Sequence, residues 1–100
     1  MELTLSDDPN DIELVTTSTG EELLYISCFR GDRIEVVDAR SGLSMGSVKT
    51  GQGPSEMTVV DRPDLGIKRL YVALFNDNAV AVIELDPASP FYNTVIGEVR

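Results

Sequence analysis

Leu24-Tyr25-Ile26-Ser27-Cys28-Phe29 returns as Leu70-Tyr71-Val72-Ala73-Leu74-Phe75, and Ile34-Glu35-Val36-Val37-Asp38 returns as Val80-Ala81-Val82-Ile83-Glu84, both at an offset of 46 residues and without a gap. A period of that size marks a structural repeat and overrides element-by-element assignment. Upstream the register slips by one residue: Pro9, Ile12 and Leu14 align with Pro54, Met57 and Val59, while Gly20 and Gly66 restore the longer offset. Downstream, Met45-Gly46-Ser47-Val48 is matched to Tyr92-Asn93-Thr94-Val95 across a small insertion that contains Pro87 and Pro90. Insertions of this kind belong in loops.

Within each copy, short runs rich in Val, Ile and Tyr are separated every eight to twelve residues by Gly, Pro, Asp, Asn or Ser, an all-β rhythm. No window sustains the three-and-four spacing of an amphipathic helix, so negligible helix is expected. Four strands are predicted per copy: Ile12 to Val15, Leu23 to Cys28, Arg33 to Asp38 and Leu43 to Val48, then Met57 to Val60, Arg69 to Leu74, Ala79 to Leu85 and Tyr92 to Ile96. Arg30-Gly31-Asp32 and Asn76-Asp77-Asn78 sit between the second and third strands, where residues that tolerate positive φ close antiparallel hairpins. Met1 to Leu5 reads as the closing strand of a preceding unit. The organisation expected is therefore a leading segment over 1–8, one repeat over 9–53 and a second over 54–100.

The second strand of the first copy carries Leu24, Ile26 and Cys28 on one side and Tyr25 and Phe29 on the other, so both faces of its sheet call for cover. Stacked four-stranded sheets, each covered by the next, make a β-propeller, which usually has about four to eight blades. The fold class expected is thus all-β: two consecutive four-stranded antiparallel blades of a partial propeller. Two repeats leave a terminal face wet, and each large apolar side chain left in water forgoes roughly 1.5 to 3 kcal/mol. Against a total stability of about 5 to 15 kcal/mol that loss is decisive. Three arrangements relieve it: a longer polypeptide of which this is a segment, several copies closing one ring, or the two sheets collapsed as a small sandwich. The first is the simplest.

The spelling Leu24 to Phe29, Gly31-Asp32, Ile34 to Asp38, Ser41-Gly42 and Gly51 to Pro54, with a second copy in Leu70 to Phe75, Asn76 to Asn78 and Val80 to Glu84, resembles the YVTN-type β-propeller repeats. The likeness covers the chain from about Pro9 onward. It departs from the family where Thr-Asn after Tyr-Val is replaced by Ser27-Cys28 and Ala73-Leu74. The resemblance implies a disc, often seven-bladed, in exported, periplasmic or cell-surface bacterial proteins. Related propellers include binding scaffolds, lactone hydrolases and quinone-dependent dehydrogenases, and fold alone does not choose among them.

Composition narrows the partners. Seventeen acidic residues against eight basic ones give a net charge of -9, which repels nucleic-acid backbones and anionic lipid headgroups. The chain has no histidine and a single cysteine, so no zinc site of the usual His/Cys kind can be assembled. No apolar run approaches the length of a membrane span. The partners expected are further blades of the same protein or further copies of the chain, together with a protein or small-molecule ligand of unknown identity.

In a propeller the linker entering each blade and the hairpin between its second and third strands emerge at one rim. From this chain they supply Arg30, Asp32, Glu56, Asn76, Asp77 and Asn78 as candidate ligand-binding residues, with Gln52 and Ser55 beside them. Turn chemistry alone accounts for Asp, Asn and Gly in the hairpins. Glu56 stands out because it precedes an innermost strand and its counterpart Asp11 is also acidic, so a ring of such carboxylates could hold a divalent cation. Asp7, Asp8 and Asp11 fit no calcium loop and read as a solvated segment. Ser27, Ser44 and Thr58 have no histidine to activate them, Cys28 reads as an inert buried thiol, and Gly51-Gln52-Gly53-Pro54 is a linker with no helix or lysine behind it. No catalytic residue, metal site or cofactor is assigned. The function expected is a non-catalytic binding scaffold; the rival is a piece of a propeller enzyme whose active-site residues lie on other blades.

Overall fold

Glycine, aspartate and asparagine at the expected breaks fold the apolar runs into two meanders. In the computed structural model, which describes residues 8–100, β1 (Pro9–Thr16), β2 (Glu22–Cys28), β3 (Arg33–Asp38) and β4 (Ser44–Lys49) form one four-stranded antiparallel sheet in chain order. A second is formed likewise by β5 (Pro54–Arg62), β6 (Ile67–Leu74), β7 (Ala79–Glu84) and β8 (Val95–Val99). Helix among the described residues is limited to a 3-10 turn at Pro63–Leu65, which proline initiates and Gly66 closes at φ +65°. The closing strand expected over Met1 to Leu5 lies outside the described residues.

The repeat is visible in the pairing. Tyr25 faces Val36 and Tyr71 faces Val82; Leu24 faces Val37 and Leu70 faces Ile83. The hairpins between these strands are alike: Gly31 N-H donates to Cys28 O and Asp77 N-H to Leu74 O, both at 3.1 Å, and Asp32 and Asn78 both adopt φ +53°. A type I turn followed by a left-handed residue gives this geometry, and Asp and Asn tolerate it better than other side chains.

Two boundaries differ from expectation. The first strand of each sheet starts at its proline, Pro9 or Pro54, before the expected Ile12 and Met57. Each then bulges, so that pairing resumes only at Ile12 and Met57. A proline at the head of a strand sacrifices no ladder bond. The last strand, expected over Tyr92 to Ile96, runs Val95–Val99 instead. The Asp86 carboxylate receives Ala88 N-H at 2.9 Å, Tyr92 N-H donates to Ser89 O at 3.1 Å, and Asn93 turns at φ +57°. These bonds draw Tyr92 and Asn93 into the hairpin. The counterpart of Gly46 is therefore Gly97 and not Asn93: the two glycines face Val36 and Val82, each next to a bulge in the pairing.

Unlike faces meet between the sheets. From the first sheet, Val15, Leu23, Tyr25, Ile34, Val36 and Val48 enter the shared core. They pack with Met57, Leu70, Val72, Leu74, Ala81 and Ile83 of the second. In repeat terms the tyrosine side of one sheet lies on the leucine side of the next; a two-fold sandwich would have joined like sides. The backbones approach most closely at β1 and β5, the first strands of the two sheets. On the leucine side of the first sheet Ile26, Cys28 and Val37 are buried while Ile12 and Leu14 are exposed. On the tyrosine side of the second sheet Tyr71, Ala73 and Val80 are half-exposed.

Candidate functional site

The connection from β4 to β5 runs between the two hairpin tips, and the predicted rim residues gather around it. Asp32 accepts Thr50 N-H on its carbonyl at 3.0 Å and Gly53 N-H on its carboxylate at 3.0 Å. Asp77 accepts Gln52 N-H on its carboxylate at 2.8 Å. In return Phe75 N-H donates to Gly53 O at 2.9 Å and Asn76 N-H to Gln52 O at 3.2 Å. Two of the three carboxylates proposed for ligand binding thus hold backbone amides of the linker, which satisfies donors that no strand partner reaches.

The glycines of the linker follow from this cradle. Gly53 has φ +74°, and a methyl group on it would meet the Asn76 side chain and backbone; one on Gly51 would run into the Asp77 carboxylate and Leu74. Asp8 takes the place of Gly53 at the entry to the first sheet, with φ +65° and its carbonyl accepting Phe29 N-H at 3.0 Å. Between the hairpins the Phe29 and Phe75 rings lie 6.3 Å apart at a 48° tilt.

The remaining candidates stand apart. Arg30 is solvent-exposed and lies 3.7 Å from Asp8. Asn78 holds the left-handed hairpin position and Glu56 is exposed at the β5 bulge. Asp7 lies outside the described residues, and Asp8 and Asp11 are not a loose acidic loop, since each makes a specific contact. Among the described residues no three His, Cys, Asp or Glu side chains come together to hold a metal.

Sequence reasoning missed a polar joint between the sheets. One Asp11 oxygen accepts Ile12 N-H at 2.8 Å and the other accepts Met57 N-H of the second sheet at 2.8 Å. Beside it, the fully buried Ser27 hydroxyl donates to Ser55 O at 2.7 Å and accepts Asp11 N-H at 2.9 Å. The bulge is what turns the Asp11 carboxylate toward the neighbouring sheet. An acidic residue directly before the first apolar strand position of both copies, Asp11 and Glu56, was the available signal.

At the other end of the strands a depression is lined by Thr17, Asp61, Lys68 and Asp86. Its cation is spent: the Lys68 ammonium donates to Thr16 O and lies 3.6 Å from Asp61. Among the described residues no helix is long and apolar enough to cross a membrane. Comparison with protein-family models, with curated proteins and with solved structures found no significant match.

Proposed function

We propose that the chain is an arc of two blades from a YVTN-type β-propeller that serves as a non-catalytic binding scaffold. The observation that carries this reading is the stacking of the tyrosine side of one repeat on the leucine side of the next. That arrangement can be continued by any number of like sheets, and closest approach at the first strands supplies the convergence a ring needs. The rim supports the non-catalytic half: Asp32 and Asp77 are occupied with linker amides, which leaves the outward surfaces of Arg30, Asn76 and Asn78 to contact a partner.

Covalent tandem arrays of two, three and four copies of residues 9–100 test the reading. At one array length the product becomes a monodisperse particle with a sharp rise in Tm and no binding of an apolar dye, because the open faces cover one another. Arrays that all keep an open face, with Tm levelling off, would exclude a ring. Metal- or cofactor-dependent turnover of lactones or alcohols by the closed array would remove the non-catalytic part.

A further inference from the structure

We infer that the depression at the Lys68 end of the strands is a binding site for a small primary amine, its ammonium group held at Asp86 and its short hydrocarbon body against the apolar walls. Those walls come from the two sheets already joined to each other: the turn after β1 supplies Thr17, and the second sheet supplies Ile67, Lys68 and Asp86. The site therefore exists whatever lies beyond the outer face of either sheet.

The repeat shows what is unusual there. In the first copy Glu22 and Arg40 form an ion pair, Arg40 Nη2 and Nε donating to Glu22 Oε1 at 3.1 and 3.2 Å. Their counterparts 46 residues on are Lys68 and Asp86, the same pair with its charges exchanged. The backbone keeps the two places equivalent, since Ala39 N-H donates to Glu22 O at 2.9 Å and Leu85 N-H to Lys68 O at 3.0 Å. The second pair is nevertheless divided. Lys68 turns across the seam to Thr16 O and lies 3.6 Å from Asp61. Asp86 keeps one side-chain bond, accepting Ala88 N-H on Oδ1 at 2.9 Å, and among the described residues no cation pairs with it. A half-buried carboxylate is thus left as the surplus charge of the cavity.

The walls have changed along with the pair. Ile67 and Pro87 line the depression where the first copy carries Glu21 and Ser41, and Pro63 adds a third apolar surface. The result is a concavity of about 340 Å³ with apolar sides and one unpaired acid, the make-up of a small-molecule site. Charge complementarity selects a cation. Hard metal ions want several oxygen ligands, and among the described residues no three acidic side chains come together, so a single carboxylate suits a monocation. The apolar walls select one that carries hydrocarbon.

Titration of the 100-residue chain with propyl-, butyl- and pentylammonium chloride at low ionic strength, followed by amide NMR shifts, tests this. Saturable shifts are expected at Thr17, Ile67 and Asp86, with affinity rising about two- to fourfold per added methylene. Asp86→Asn keeps an oxygen for Ala88 N-H and is expected to fold but to bind about tenfold more weakly or worse. Ile67→Thr is expected to keep binding and to lose much of the gain per methylene. Asp64→Asn, whose carboxylate pairs with Arg62 at 2.9 Å and does not line the depression, is expected to bind as the wild type does. Shifts that potassium chloride reproduces, unchanged binding by Asp86→Asn, or saturation by a lysine-bearing peptide alone overturns the inference. If circular dichroism shows Asp86→Asn unfolded, Ile67→Thr decides, and a gain per methylene equal to that of the wild type overturns it.

Discussion

The Tyr25 hydroxyl donates a 2.6 Å hydrogen bond to Asn93 Oδ1, joining the core face of the first sheet to the long hairpin of the second. The phenol is otherwise enclosed, and burial, with the neighbouring Tyr92 second, pushes its pKa far above the ordinary 10.0. A group whose folded pKa is raised stabilises the fold fully below its unfolded value and loses that contribution as pH rises beyond it. The wild type is therefore expected to lose stability progressively above about pH 10 as the exposed phenol of the unfolded chain ionises. Tyr25→Phe loses about 0.5–1.5 kcal/mol at pH 7. Its stability falls less steeply above pH 10, which denaturant titrations at pH 7, 9 and 11 will measure.

Asp11→Ala strands the Met57 amide between the sheets, and an unsatisfied buried donor costs about 1–3 kcal/mol. Asp11→Asn keeps one carbonyl oxygen for that amide and should recover part of the loss. Glu56→Ala, at the equivalent but uncovered bulge, is expected to stay within about 0.5 kcal/mol of wild type at low protein concentration. Urea titrations of the three variants compare them directly. Equal effects at Asp11 and Glu56 would show that the joint between the sheets is not what Asp11 serves.

Gly53→Ala places a methyl group at φ +74° against Asn76. Backbone strain of this kind amounts to about 1–3 kcal/mol, with the steric contact added to it. A lowered urea midpoint at unchanged slope is the expected result. Gly20→Ala, where nothing lies within 4 Å, carries the backbone strain alone and separates the two contributions.

The Asp38 carboxylate accepts Arg40 N-H at 2.8 Å and Ser41 N-H at 3.0 Å, and these backbone bonds, Ser41 first, hold its pKa below the ordinary 3.8. A depressed carboxylate stabilises the fold above its unfolded pKa, and that contribution disappears as pH falls through the folded value. Asp38→Asn should therefore melt below wild type at pH 7, with the gap narrowing at pH 2.5. Thermal melts at both values check it.

Legibility followed the physics of each element. Strand pairs such as Tyr25 with Val36 and Tyr71 with Val82 were readable because two ungapped copies fix face and register together. Asp32 and Asp77 were readable as turn residues but not as linker clamps, since a side chain's distant partner leaves no periodic trace. Asp11 was misplaced in a solvated cluster because a bulge breaks the two-residue alternation on which a strand's faces are read. The last strand slipped by three residues because Tyr92-Asn93 and Ile96-Gly97 both fit the match to Met45-Gly46, and only the hydrogen bonds of the intervening hairpin decide between them. Tyr25 and Tyr71 occupy the same place in their sheets, yet one is covered and the other half-open, a difference of position in the stack rather than of residue type.

The Asp11 to Met57 bond joins neighbouring positions of successive repeats, since Met57 is the counterpart of Ile12 and Asp11 directly precedes Ile12. A gene segment one repeat long therefore carries a fastener and the socket for the one before it. When such a segment is copied in tandem, the newborn sheet inherits both, and the array lengthens without any fresh interface having to evolve.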